Sequence, residues 1–458
     1  MKRCLLFFLA VLMTCRPVES DVCYWVWQRT SPLLPEEARD LRAAGVTSLY
    51  WHVGTIKWDG SAWRWREHLP LDWPAVRASC PGVVVMPVVR IEAGASQTFP
   101  PLSRAPLIRL LNQLVAASAS HALQIDYESP DRLIGEYADF LRQLKDQGRS
   151  WRLSISALGH WSGFAQALAG GADEITPMFY DLNPSLERLG GEGLPPLVEG
   201  DLPRQMAAWR GCPIPWRVGL PNFSRVTVVS LDGQSRGNLR SWSWDEIYFA
   251  PFLQALAPTR HGQTVFTVTH DSVLGTTPLK SQEHLDVRYP DREQLREAEH
   301  AGDAMGAEGI IYFRLADLED PSGYSARDLG QQNVPAPLFA VKKDAAGRIV
   351  LTNESSIDLM PIARGAGKED RGYALELEAQ APIWREVIPG DFAQVTSGEG
   401  DAPGLGLGVA RLQFWFTHLA AGNSLSTGYI GEARQDKAVP IRWRILNLDQ
   451  EDTWHPLD

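Results

Sequence analysis

Along residues 22–329, short runs of β-branched and aromatic residues alternate with segments whose apolar positions recur every three or four residues. This is the pattern of parallel strands joined by crossover helices. A first strand is predicted over 22–28 (VCYWVWQ), an amphipathic helix over 35–45 (PEEARDLRAAG) and a second strand over 46–54 (VTSLYWHVG). The run VVVMPVVRI (83–91) is apolar throughout, as expected of a strand covered on both faces. A helix over 109–119 carries Leu110, Leu111, Leu114 and Val115. ALQIDYE (122–128) is the fourth strand, with Ser129 as N-cap and Pro130 as first residue of the helix that follows. Leu133, Ile134, Tyr137, Ala138, Leu141 and Leu144 mark that helix's buried face. Strands five to seven fall at 151–158, 173–182 and 216–223, a last helix at about 291–305, and an eighth strand at 309–315.

Eight strands with intervening helices predict an α/β fold, the TIM (β/α)8 barrel, over residues 21–330. The rival is a doubly wound open sheet, but no Gly-rich fingerprint follows the first strand. The surplus length lies at about 224–290, between the seventh strand and its helix, and predicts a small β-containing insertion. After the linker at 330–335 helical periodicity is lost. Short strands between turn signals predict a C-terminal all-β, sandwich-like domain over 336–458, with a structural, docking or carbohydrate-binding role.

The first twenty residues have a different pattern. Lys2 and Arg3 precede an apolar run at 4–13 that is too short to span a bilayer, and Val18-Glu19-Ser20 offers a cleavage site. Residues 1–20 are therefore expected to be a signal peptide, placing the protein in the periplasm or outside the cell. A second interpretation is lipoprotein processing, with a lipid anchor at Cys15. No later run predicts a transmembrane segment. Cleavage after Ser20 leaves Cys23, Cys80 and Cys212, which allow one disulfide whose pairing the spacing does not name.

The 458 residues carry a net charge of −11 without a basic block, which argues against nucleic acid as partner. Motifs for metal or nucleotide cofactors are absent, so no cofactor is expected. Thirteen of the seventeen tryptophans precede residue 330, and Trp25, Trp51 and Trp161 fall at strand ends, where a flat ring can stack on a sugar. Polar candidates at the same ends include Arg90, Glu92, Gln124, Asp126, Glu128, Tyr180, Asp181 and Arg314. Asp126 and Glu128 stand two apart on one strand, so both face the lumen. Paired carboxylates raise the proton affinity of one of them, which suits a general acid at a glycosidic oxygen.

The segment LQIDYESP (123–130) resembles the fourth-strand motif DxxDxDxE of the family-18, chitinase-like glycoside hydrolases. PMFYDL (177–182) resembles their sixth-strand Met-x-Tyr-Asp segment, RVGLPNFSR (217–225) their seventh, and GIIYFRL their closing strand. The resemblance implies that Glu128 is the acid/base, while Asp126, Tyr180 and Asp181 hold a substrate N-acetyl group that serves as nucleophile. His121 and Gln124 stand where the first two motif aspartates would be. Gln124 can hydrogen-bond Asp126 but cannot share a proton with it, and Tyr312 or Phe313 replaces the usual Trp. The wording of WVWQR, QIDYES and SISALGHW is also similar to an uncharacterised bacterial barrel family, domain of unknown function 3142. The function expected is a glycoside hydrolase-like enzyme on an extracellular or envelope polysaccharide or oligosaccharide. The alternative is a catalytically silent, lectin-like barrel.

Overall fold

The computed structural model describes residues 21–94, 96–180, 194–198, 201–256, 262–316, 323–331, 333–397, 408–432, 439–448 and 453–457. The proposed leader, with Cys15, and Asp181 lie outside the described residues. Among those described, no helix is long and apolar enough to cross a membrane. Cys23, Cys80 and Cys212 are all free thiols.

The chain runs β1 (Asp21–Val26), α1 (Pro35–Ala43), β2 (Val46–Trp58), β3 (Trp63–His68), α2 (Trp73–Ser79), β4 (Val84–Ile91) and α3 (Pro101–Ser118). It continues through β5 (Ala122–Asp126), α4 (Ile134–Asp146), β6 (Arg152–Leu158), α5 (Ala165–Ala169), β7 (Glu174–Met178), α6 (Leu202–Ala207) and β8 (Arg217–Pro221). Next come β9 (Arg225–Val229), β10 (Ser235–Asn238), α7 (Trp244–Tyr248), β11 (Leu253–Ala255), β12 (Gln263–Val268), β13 (Ser272–Leu274), β14 (Thr277–Leu279) and β15 (His284–Arg288). Then follow α8 (Arg292–Ala304), β16 (Gly309–Phe313) and α9 (Ala326–Leu329).

Strands β1, β2, β4, β5, β6, β7, β8 and β16 form a closed parallel barrel, since β1 pairs with both β16 and β2. Alternation along each strand separates two cores. Cys23, Trp25, Tyr50, Met86, Val88, Ala122, Met178 and Ile311 fill the lumen. Tyr24, Leu49, Trp51, Val89, Leu123, Ile125 and Tyr312 face outward into the helix layer.

Local chemistry sets the element ends. Helix α1 starts on Pro35, and Glu37 reaches back to accept the Leu34 N–H at 2.7 Å while Arg29 grips both its carboxylate oxygens. The helix after β5 departs from expectation. Pro130 is extended, at φ −58° and ψ 143°, and a 3₁₀ turn at Asp131–Leu133 leads into α4. Ser129 Oγ contacts the Pro130 carbonyl and caps nothing, because Pro130 disfavours the helical region for the residue before it.

Strand β2 is longer than predicted and turns into β3 as an antiparallel hairpin. The turn is held by Asp59, whose Oδ1 accepts from the Ser61 and Ala62 N–H groups at 2.8 Å, and by Gly60 at φ 99°. This Asp-Gly pair is a hairpin signal that the strand prediction passed over. At Gly54 the returning strand comes so close that a Cβ would lie 2.3 Å from the Glu67 carbonyl.

Between β8 and α8, strands β10-β9-β15-β12-β11 make a five-stranded antiparallel sheet. The C-terminal region holds separate antiparallel sheets around a core of its own, including Leu351, Leu375, Leu412, Phe414 and Phe416. Its junction with the barrel combines apolar contact, with Met360 and Ala363 joining the barrel's outer core, and hydrogen bonds. Asp358 accepts from the Ser325 N–H and hydroxyl and from the Ala421 N–H at 2.5–2.8 Å, and Asp328 accepts the Asp358 N–H at 2.6 Å.

Outward-facing Tyr312 on β16 donates its hydroxyl to Glu299 on α8. Burial pushes the Glu299 carboxyl up from 4.5 to about 7, Arg292 and Arg296 opposing and Asp303 reinforcing. The folded state thus prefers the protonated acid, and the stability Glu299 contributes is complete below about 4.5 and lost as pH rises to about 7. Glu299→Gln should therefore melt higher than wild type at pH 8 and alike at pH 4. Equal shifts at both values in thermal denaturation would contradict this assignment.

Candidate active site

The floor of the mouth is a tryptophan laid across the barrel. Trp25 extends from β1 until its ring meets β8, where a Cβ on Gly219 would lie 3.1 Å from it. Its Nε1 donates to Gln124 Oε1 at 2.6 Å, and Gln124 Nε2 donates to Ser154 Oγ at 3.0 Å and lies 3.5 Å from Thr176 Oγ1. An indole only donates, so the amide orientation is fixed by its partners. The Gln124–Asp126 hydrogen bond expected from sequence is not made, because the amide is spent on Trp25 and two hydroxyls one layer below.

One side of the mouth is charged. Arg90 on β4 lies beside Asp126 on β5 in the strand register. Arg90 Nε is 3.8 Å from Asp126 Oδ2, and its Nη2 is 3.5 Å from Glu128 Oε2. Ser156 Oγ donates to Asp126 Oδ1 at 2.6 Å. Burial raises the proton affinity of Asp126, against the lowering effects of Ser156 and Arg90. Tyr127 turns outward, stacking edge-on against Phe99 and bonding Thr98 at 2.9 Å, which returns Glu128 to the lumen side. The depths differ: the Asp126 side chain is 9% exposed and that of Glu128 43%.

The other side is aromatic. Phe313, at the end of β16, stacks on Tyr180 (5.7 Å, 20°) and meets Phe223, Trp25 and Trp27 edge to face. The peptide bond after Phe313 is cis. Phe223 also meets Tyr180 edge to face. Phe223 is absent from the predicted site, Trp27 stands there only as a residue of the strand end, and Phe313 only as one of two alternatives for the usual Trp. Strand parity with Ile311 is the signal that favours Phe313 over Tyr312.

Other expected residues lie elsewhere. Tyr312 points away from the lumen to Glu299, so Phe313 occupies the inward position. Trp51 has the wrong parity; it is buried in the helix layer, with Nε1 on the Arg29 carbonyl at 2.9 Å. Trp161 is likewise fully buried, its Nε1 3.1 Å from Asp131. Glu92 ties the β2–β3 hairpin to the end of β4 through Arg66 and Lys57. Arg314 is fixed at the rim through its main chain, whose carbonyl accepts from Asn222 Nδ2 at 2.9 Å. The structure thus brings together Trp25, Arg90, Gln124, Asp126, Glu128 and Tyr180. Among the described residues, no cluster of His, Cys, Asp or Glu is arranged to hold a metal ion.

No protein-family model matches the chain, and no curated protein does. Solved structures do resemble it. The C-terminal domain of a candidate chitinase from Desulfitobacterium hafniense aligns at a TM-score of 0.48 and 13% identity, covering 66% of this chain and 97% of that one. The spore cortex-lytic enzyme SleL of Bacillus megaterium aligns at 0.46 and 14%, covering 64% and 70%. A glycoside hydrolase family 18 N-acetylglucosaminidase from Paenibacillus barengoltzii aligns at 0.43 and 14%, covering 64% and 95%.

Gln124→Leu should leave the Trp25 N–H and the Ser154 hydroxyl buried and unpaired. We expect a loss of roughly 1–3 kcal/mol in urea denaturation. A change under about 0.5 kcal/mol would mean the floor does not depend on this amide.

Proposed function

We propose that this chain is a glycoside hydrolase-like enzyme acting outside the cytoplasm on an extracellular or envelope polysaccharide, with Glu128 as acid/base. The observation that carries the proposal is the pair of carboxylates on one lumen face, at two depths, opposite an aromatic wall. A sugar matches such a mouth: its C–H faces pack on Phe313, Phe223 and Tyr180, and its polar edge meets Arg90, Asp126 and Glu128.

Burial raises the proton affinity of Asp126 in the free protein. A sugar laid over the half-exposed Glu128 would strip its water and raise its proton affinity in turn. Glu128 then has the proton that a leaving glycosidic oxygen needs, and its carboxylate afterwards takes one from the attacking water. The motif resemblance to family-18 enzymes favours N-acetylated sugars. In that case Asp126 and Tyr180 would orient the acetamido oxygen that attacks the anomeric carbon. Asp181 is assigned to this group on the motif alone. Trp25 sits beneath the reacting sugar as floor, held by Gln124.

A second interpretation, a lectin-like barrel, is favoured by one observation. Gln124 occupies a motif-aspartate position, and its amide is committed to Trp25 and Ser154. Kinetics decide between the two. Glu128→Gln should fold normally and bind oligosaccharide yet lose at least about a hundredfold in turnover. Undiminished turnover in this variant would remove Glu128 from the chemistry, and tight binding without cleavage by the wild type would establish the lectin.

A further inference from the structure

The β1–β2 side of the mouth holds a polar group that this chemistry does not use. His52 stands two residues beyond Tyr50 on β2, so its ring turns into the lumen, where it is 1% exposed. The Trp27 indole lies parallel over it, with centroids 3.9 Å apart and planes 14° from parallel. Neither imidazole nitrogen makes a well-formed hydrogen bond, although the Gly54 backbone lies near enough to act weakly on the ring. In the same lumen Gln124 is engaged with Trp25, and Asp126 with Ser156.

Burial, and then the positive charge of Arg90, lower the His52 pKa to about 4, against the pull of the Gly54 backbone. The ring is therefore neutral across ordinary pH and offers one donor and one acceptor. Buried polar atoms without partners are rare in native structures. Here the unpaired ring is not sealed in the helix layer. It faces the mouth, covered by a half-buried indole at a strand end, next to Gln28 at φ 56°.

We propose that His52 contacts substrate directly, its ring nitrogens donating to and accepting from hydroxyls of a sugar that reaches the ring edge beside the Trp27 indole. The chemistry selects the ligand group. A hydroxyl both donates and accepts, matching a neutral imidazole, whereas an ammonium would meet the Arg90 charge and a carboxylate could use only the donor. The proposal rests on the carbohydrate interpretation of the mouth. It makes His52 a determinant of which sugar occupies the subsite beside Arg90.

His52→Phe keeps a flat ring under Trp27 and removes both nitrogens. Two measurements are made on it: melting without sugar, and isothermal titration with N-acetylglucosamine tetramer and cellotetraose. The expected result is a melting point about 2 °C above wild type, with affinity for the bound oligosaccharide down about tenfold or more. His52→Gln, which retains a donor and an acceptor, should recover most of that affinity. A His52→Phe protein that melts lower or fails to fold would show that the ring is a satisfied structural group, and overturn the proposal. Unchanged affinity overturns it whichever way the melting point moves. Wild type that binds neither tetramer and cleaves no polysaccharide overturns the carbohydrate interpretation and this proposal with it. Failure of His52 alone is distinguished by wild type that binds and a variant that binds equally.

Discussion

The hydrogen bond from Trp25 Nε1 to Gln124 Oε1, drawn across the barrel axis, is the constraint around which the mouth is built. An indole wide enough to reach from β1 to β8 closes the lumen and leaves room on the far strand only for Gly219. Above this plug, alternation delivers His52, Arg90, Asp126, Ser156 and Phe313 to the mouth. Below it, Tyr50 bonds Glu174 at 2.8 Å and Glu174 meets Arg217 at 3.1 Å, so the lower lumen is saturated. Polar groups in the floor have partners within the protein; those in the mouth are partly unpaired or shared.

That difference separates the two carboxylates of the mouth. Asp126 is deep, bonded to Ser156 and short of water, and its carboxyl is biased towards the proton. Glu128 stands one step outward, where a ligand rather than the protein would complete its desolvation. Arg90 faces both carboxylates and also His52, and its charge opposes the protonation of Asp126 and of His52. The aromatic wall opposite contributes surface that water wets poorly. A polar, hydroxyl-rich ligand with apolar faces satisfies both sides together.

The barrel was legible in the sequence because buried parallel strands write continuous apolar runs and their helices write a 3.6-residue period. The inward pair Asp126 and Glu128 was legible for a related reason, since a spacing of two is a statement about faces. What failed was the assignment of face to single aromatics. Trp51 and Tyr312 lie at the correct height but one residue out of phase with His52 and Phe313, and a strand buried on both sides gives composition no means to tell the two apart. Trp161 lies beyond the end of its strand, where parity no longer applies, and its ring is buried in the outer core. The β2–β3 hairpin was hidden because β2 runs on past the barrel without a break in its pattern. Only Asp59-Gly60 marks the turn.

The central claim is that the charged and aromatic sides of this mouth act together on a glycosidic bond. The most direct measurement is mass spectrometry of N-acetylglucosamine oligosaccharides incubated with the protein in water enriched in heavy oxygen. Shortened products carrying one heavy oxygen at each new reducing end are the predicted result. Oligosaccharide recovered intact, whether bound or free, after prolonged incubation would contradict it.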